Sequence, residues 1–198
     1  QEHQRSCLRL LRDICEISDA LATRTYIWGG MVVDILCGEF RRVHRDIDGF
    51  TLNLLSIKDD MATMFGGKGY PVSYSAEMGV LRVDGTGIHA TLNELETNGD
   101  SAMWHHAGHQ GTVHFPAHWL DATPRLFLGT SVYTSGVLFE YAVKTNPHLL
   151  NPEWRVRDKD RDAVEFLQRQ LSERNLDWSD FMNDIWSDTP YWAERGDP

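Results

Sequence analysis

The chain has 198 residues, 41% apolar and 24% charged, with a formal net charge of −10. That length allows one domain with a real core. The acidity argues against a general binder of nucleic-acid backbone, which needs a basic patch, and no run approaches the ~20 apolar residues of a membrane helix.

An acidic chain suits small or cationic substrates, although many soluble proteins are simply acidic. The N-terminal QEHQRSCLRLL has no initiator Met and no signal-like apolar core. It reads as a trimmed start or an ordered helix, with nothing arguing for export. Cys7, Cys15 and Cys37 match no metal-ligand spacing and read as buried free thiols in a reducing compartment, hence a cytoplasmic location.

Leu8, Leu11, Ile14, Cys15, Leu21 and Ala22 recur at helical spacing and predict a helix over 4–23. Tyr26–Trp28 reads as a short strand, Gly29-Gly30 as a turn, and Met31–Cys37 as a helix closed by Gly38. Ile47–Leu54 reads as a strand. Ser56 is the expected cap of a helix ending at Gly66, Gly67 and Gly69. Pro71–Ser75, Val80–Val83 and Ile88–Leu95 read as strands, the last two joined by an Asp84-Gly85-Thr86-Gly87 turn. Residues 97–111 are polar and read as an irregular loop. Ser135 is the expected cap of a helix over 136–145. A further helix covers 158–173, and a Trp-rich one covers 177–186. The expected fold is α+β: a mixed β-sheet flanked by helices over 1–115, then a helical C-terminal part over 116–198, packed as one unit.

Chemistry concentrates in YIWGGMVVDILCGEFRRVHRDIDGF, residues 26–50. Residues i and i+2 of a strand share a face, so Asp46 and Asp48 aim at one spot. Carboxylates that close resist joint ionisation unless a cation lies between them. Mg²⁺ suits such a pair, taking further oxygens from water and substrate phosphates. A Gly-Gly turn before a helix lets the backbone approach a phosphate and offers free N–H groups. Asp-x-Asp and Gly-Gly are each common alone. Their ordered combination with Asp34, Gly38, Arg42 and His44 is what carries information.

That combination resembles the nucleotidyltransferase superfamily of the polymerase-β type, and within it the small aminoglycoside and lincosamide nucleotidyltransferases. The shared pattern is strand, Gly29-Gly30, Asp34, Gly38, Arg42-x-His44-x-Asp46-Ile47-Asp48. The resemblance implies an enzyme using Mg²⁺ and a nucleoside triphosphate such as ATP. It would transfer a nucleoside monophosphate to a hydroxyl of an antibiotic or natural-product-like molecule. Asp46 and Asp48 are the implied metal ligands and catalytic pair. Gly29, Gly30, Arg42, His44 and Lys144 are the implied nucleotide-binding residues. Glu140, four residues before Lys144 in FEYAVK, is the implied general base. Lys159-Asp160 matches a pair that opens a late helix in the family.

The superfamily normally adds a third carboxylate on a neighbouring strand. Here that position falls on His89 or Ala90, with His89 the candidate substitute. Glu94, at ~3.3 Å per residue, lies roughly 13 Å from position 90. Two alternatives therefore stand beside nucleotidyl transfer. One is a repurposed fold in which His89 or Glu140 does acid–base work in a non-nucleotidyl biosynthetic step. The other is a non-catalytic nucleotide- or partner-binding protein. His105, His106, His109, His114 and His118 read as exposed loop histidines rather than zinc ligands, and Trp104, Trp119, Trp178, Trp186 and Trp192 as packing or stacking aromatics. The expected partner is a small-molecule hydroxyl acceptor, without nucleic acid or membrane, and a homodimer is compatible with the chain.

Overall fold

The computed structural model describes residues 2–106, 111–150, 154–156, 158–176 and 184–188. Helix α1 (Glu2–Ala20) forms because Cys7, Leu10, Leu11, Ile14 and Ile17 make one apolar stripe, and all five are buried. Strand β1 (Thr25–Trp28) follows, then α2 (Gly30–Cys37), which ends at Gly38 in the left-handed conformation, φ 80°. Strand β2 (Asp46–Leu52) leads into α3 (Leu54–Gly67), and β3 (Val72–Ser75) and β4 (Val80–Gly85) form a hairpin.

The long strand β5 (Ile88–Asn98) is the pivot of the sheet. It runs parallel to β2 on one side. On the other it pairs first with β4 and then, from Leu95 on, with β6 (Ser101–His106). Strand β7 (Gly111–Pro116) pairs with β6, and the short β10 (Trp186–Ser187) pairs with β7. At the opposite edge, β8 (Arg125–Phe127) and β9 (Thr130–Thr134) form a hairpin, and β9 lies parallel to β1. Helix α4 (Val137–Thr145) leaves β9, and α5 (Asp158–Glu173) packs on it through Val137, Tyr141, Leu167 and Leu171. The mixed sheet flanked by helices is the architecture the sequence led us to expect.

Four local expectations change. Residues 101–106, expected within a loop over 97–111, form a strand that pairs with another over 111–116: Ala102 and Trp104 are buried while Met103 and His105 lie more outward, and the flanking histidines hide the alternation. The stretch after Pro116 is not wholly helical, since β8 and β9 precede α4. Residue Asn53, in left-handed conformation, stands at the cap position of α3; the hydroxyl of Ser56 instead donates to the Asn53 carbonyl. Gly136, not Ser135, occupies the cap position of α4. Trp178, Trp192 and most of the segment 177–186 lie outside the described residues, as does His109.

Two apolar layers sandwich the sheet. Helices α1 and α3 cover one face, with Ile47, Ala90 and Leu92 below them. On the other face Phe50, Trp104, Phe115, Phe139 and Ala142 pack together, a cluster drawn from both sides of Pro116. No helix among the described residues is long and apolar enough to cross a membrane.

Candidate active site

Strand β1 runs out at Trp28, which stands in register with Asp48 of β2. The next residue, Gly29, adopts φ 77°, ψ −137°, a region that favours glycine. A Cβ on Gly29 would lie 3.2 Å from Asp48 Oδ2, so the turn and the carboxylate are immediate neighbours. Both open onto a cavity of about 400 Å³ between the sheet and the C-terminal helices. Asp46, Asp48, Gly29, Gly30, Arg42 and Lys144 line one end. Trp28, Trp104, Val80, Met78, Thr91 and Asn93 form the sheet-side wall, and Val143, Pro147, Leu150, Trp154 and Asp160 the other.

Asp48 is held well above the ordinary carboxylate range, at about 7. Burial is the largest cause, followed by the negative charges of Asp46 and Glu140, with Lys144 opposing. Two oxygen-donor side chains two residues apart on one strand, with the charge of Asp46 helping to raise the Asp48 carboxyl, fit a hard divalent cation such as Mg²⁺. Among the described residues no group of three or more His, Cys, Asp or Glu side chains completes a ligand set. The remaining oxygens would therefore come from water and phosphate.

Glu140 lies behind the Gly29 turn. It is 0% exposed and has no surface on the cavity wall. Its Oε1 accepts the Gly29 N–H at 2.7 Å and the Ser135 hydroxyl at 2.8 Å. Its Oε2 makes no hydrogen bond among the described residues and faces Lys144 Nζ at 3.4 Å, an ion-pair distance. Burial pushes the Glu140 carboxyl up, and Lys144 and the two hydrogen bonds hold it down.

Arg42 reaches the cavity, but His44 does not. A Cβ on Gly30 would fall 2.1 Å from Arg42 Nη2, so the guanidinium lies directly on that glycine. His44 is 2% exposed, and its Nε2 lies 2.7 Å from Asp34 Oδ2 on α2. The same carboxylate oxygen accepts the Arg41 N–H at 3.1 Å. The Asp34–His44 pair therefore ties the loop between α2 and β2 to the helix, which delivers Arg42. His44 is the expected nucleotide contact; its ring is buried against Asp34, and its Nδ1, with no hydrogen-bond partner among the described residues, lies 3.5 Å from where a Cβ on Gly30 would be.

The register of β5 on β2 gives the neighbours of the two aspartates. His89 stands beside Asp46, Ala90 beside Ile47 in the core, and Thr91 beside Asp48. The cavity wall receives Thr91 and Asn93, not His89. No carboxylate of β5 joins the aspartates. Glu94 points to the opposite face, where its Oε2 accepts the Leu55 N–H at 2.5 Å and caps α3. Trp28, Thr91, Asn93 and Asp160 were not singled out as site residues from the sequence. No local signal marks Thr91 and Asn93, because finding them requires the register of β5 on β2.

The model of the aminoglycoside-2''-adenylyltransferase family matches residues 10–119, which include the turn, both aspartates and all of β5. The chain belongs to this family. It is thus a member of a nucleotidyltransferase enzyme family. Solved structures agree on the fold. The solution structure of the antibiotic-resistance factor ANT(2'')-Ia is 14% identical with a TM-score of 0.62, over 87% of this chain and 88% of that one. The lincomycin-bound lincosamide antibiotic adenylyltransferase LnuA is 15% identical with a TM-score of 0.58, over 78% and 92%. ANT(2'')-Ia in complex with adenylyl-2''-tobramycin is 15% identical with a TM-score of 0.58, over 85% and 91%. No curated protein matches the chain.

Proposed function

We propose that this chain transfers a nucleoside monophosphate from a magnesium-bound nucleoside triphosphate to a hydroxyl of a small, antibiotic- or natural-product-like molecule. The observation that carries the reading is the convergence on one cavity of Asp46, Asp48, the Gly29 turn, Arg42 and Lys144. Family membership and the lincomycin and tobramycin adduct held by similar structures support it.

Asp46 and Asp48 would hold the metal, which when bound offsets charge on the triphosphate. Gly29 and Gly30 let the backbone approach the phosphates, because a side chain on either would meet Asp48 or Arg42. Arg42 and Lys144 carry the positive charge that faces them. The acceptor hydroxyl oxygen bonds to the α-phosphorus as the bond to the bridging oxygen breaks; pyrophosphate leaves, and the hydroxyl proton passes to solvent water. Chemistry of this kind depends on positioning and charge stabilisation more than on covalent participation by the protein. The aromatic wall of Trp28 and Trp104 (ring centroids 4.9 Å apart) and the opposite wall at Leu150 and Trp154 are the surfaces available to base and acceptor.

Thermal unfolding with and without Mg²⁺ and ATP tests the reading. Saturating ligand at about a hundred times Kd should stabilise the fold by about 2.7 kcal/mol, and labelled nucleotide should pass to a lincomycin- or tobramycin-type acceptor. Absence of any shift with Mg²⁺ and each of the four ribonucleoside triphosphates would favour a repurposed cavity.

A further inference from the structure

The seam beneath the site joins two similar turns. Strands β1 and β9 are parallel neighbours, with Ile27 in register with Thr134, and each runs through a glycine of positive φ into a helix. Gly29 leads into α2 and Gly136 into α4. The Ser135 N–H donates to the Ile27 carbonyl at 2.9 Å, extending the strand pairing to the turns. Gly136 fixes where α4 starts, because a Cβ there would lie 1.8 Å from the Trp119 carbonyl oxygen. One turn along α4, the Glu140 side chain lies over this seam. Its Oε1 takes a hydrogen bond from each side, the Gly29 N–H and the Ser135 hydroxyl.

Resting on the nucleotidyl-transfer reading, we propose that Glu140 is a positioning residue: its carboxylate staples the Gly29 turn to the start of α4 and sets Lys144 toward the cavity, and it does not take the acceptor proton. A general base must present a lone pair to the hydroxyl within hydrogen-bond reach. Oε1 is occupied by two donors, and Oε2 is enclosed, with Lys144 at 3.4 Å. The carboxylate has no exposed surface through which a hydroxyl could arrive. What it does reach is the backbone amide of the residue that must stay in a glycine-only conformation beside Asp48. A half-buried N–H in such a turn is held in place by a partner, and a charged acceptor is a strong one.

Three substitutions separate positioning from base catalysis. In Glu140→Gln the amide oxygen still accepts from Gly29 and Ser135 while the ion pair to Lys144 is lost, so KM for Mg²⁺–ATP should rise by about threefold to tenfold and kcat should fall by less than about tenfold. A lost general base instead costs about 10²–10⁴-fold. Glu140→Ala removes the staple and should weaken Mg²⁺–ATP binding by about tenfold or more, the scale of a lost charge-assisted hydrogen bond. Ser135→Ala removes one of the two donors and should weaken nucleotide binding by about twofold to fivefold with kcat intact. This variant carries the test where Glu140→Ala fails to fold. Exchange of the Gly29 amide proton, followed by NMR without any nucleotide, should quicken by about tenfold in Glu140→Ala or by a smaller factor in Ser135→Ala, and stay near wild type in Glu140→Gln. A Glu140→Gln enzyme that loses kcat a hundredfold or more with unchanged KM for ATP would overturn the proposal. So would a Gly29 amide indifferent to the alanine variants. If wild type bound no nucleotide the function reading would fall, while Gly29 exchange would still decide whether Glu140 holds the turn.

Discussion

The two faces of β2 obey opposite rules. On one, Ile47, Gly49 and Thr51 lie sealed beneath α1, with Gly49 so tightly covered that a Cβ would come within 2.9 Å of both Leu92 and Thr25 side chains. Thr51 shares a hydroxyl chain with Thr25 and Ser18, so even its polar atom is satisfied inside the protein. On the other face, one residue out of phase, Asp46 and Asp48 crowd like charges at a cavity before Phe50 returns to packing. A seven-residue strand thus holds a close-packed floor on one side and an electrostatically frustrated site on the other. Stability resides in the first face, and unmet charge, which a ligand can answer, in the second.

Substitutions should divide along the same line. The largest effect is on the open face: Asp48→Asn should lower nucleotidyl transfer by about 10³-fold, equivalent to about 4 kcal/mol of barrier, with the fold retained. Steady-state transfer assays alongside melting curves would check this, and comparable loss of structure would blur the two faces. On the sealed side, Leu10→Ala, at a fully buried position, should cost about 3 kcal/mol in chemical denaturation. Its Mg²⁺–ATP affinity should stay within about twofold of wild type.

A smaller effect comes from Asp48 itself. Its carboxyl is raised from the ordinary 3.8 to about 7, so the folded protein binds more protons than the unfolded chain between those values. Stability without ligand should therefore fall as pH rises from about 4 to 7, by roughly 2 kcal/mol after allowance for screening at a partly exposed side chain. Denaturant titrations across that window should show a steeper slope in wild type than in Asp48→Asn, where only the other raised carboxyls, Glu140 and Glu94, remain. Smallest of all, Glu94→Ala removes the acceptor for the Leu55 N–H and should cost about 1 kcal/mol without touching transfer.

The part of this layout legible in the sequence is the part that repeats at short range. The α1 stripe, the Gly38 cap and the Asp46/Asp48 alternation are all local patterns that the structure contains, and the turn expected over 84–87 is there too, narrowed to Thr86-Gly87 because Asp84 and Gly85 stay paired in the hairpin. Pairing between distant strands was not legible. Whether His89, Ala90 or Thr91 stands beside Asp48 depends on the register of β5 on β2, and a one-residue slip reverses the face. Burial was equally hidden. His44 and Glu140 carry polar side chains in the family's pattern, yet tertiary packing turns one toward Asp34 and the other toward Gly29. The β6–β7 pair was missed because its outward residues are polar and its inward ones, such as Trp104 and Phe115, are spaced among histidines.

Diffraction from crystals soaked with Mn²⁺ and a non-hydrolysable nucleoside triphosphate analogue tests the central claim most directly. An anomalous manganese peak should appear within bonding distance of carboxylate oxygens of both Asp46 and Asp48, with the triphosphate against Gly29 and Lys144. Ordered nucleotide elsewhere, or aspartates turned from the cavity with no metal between them, would contradict it.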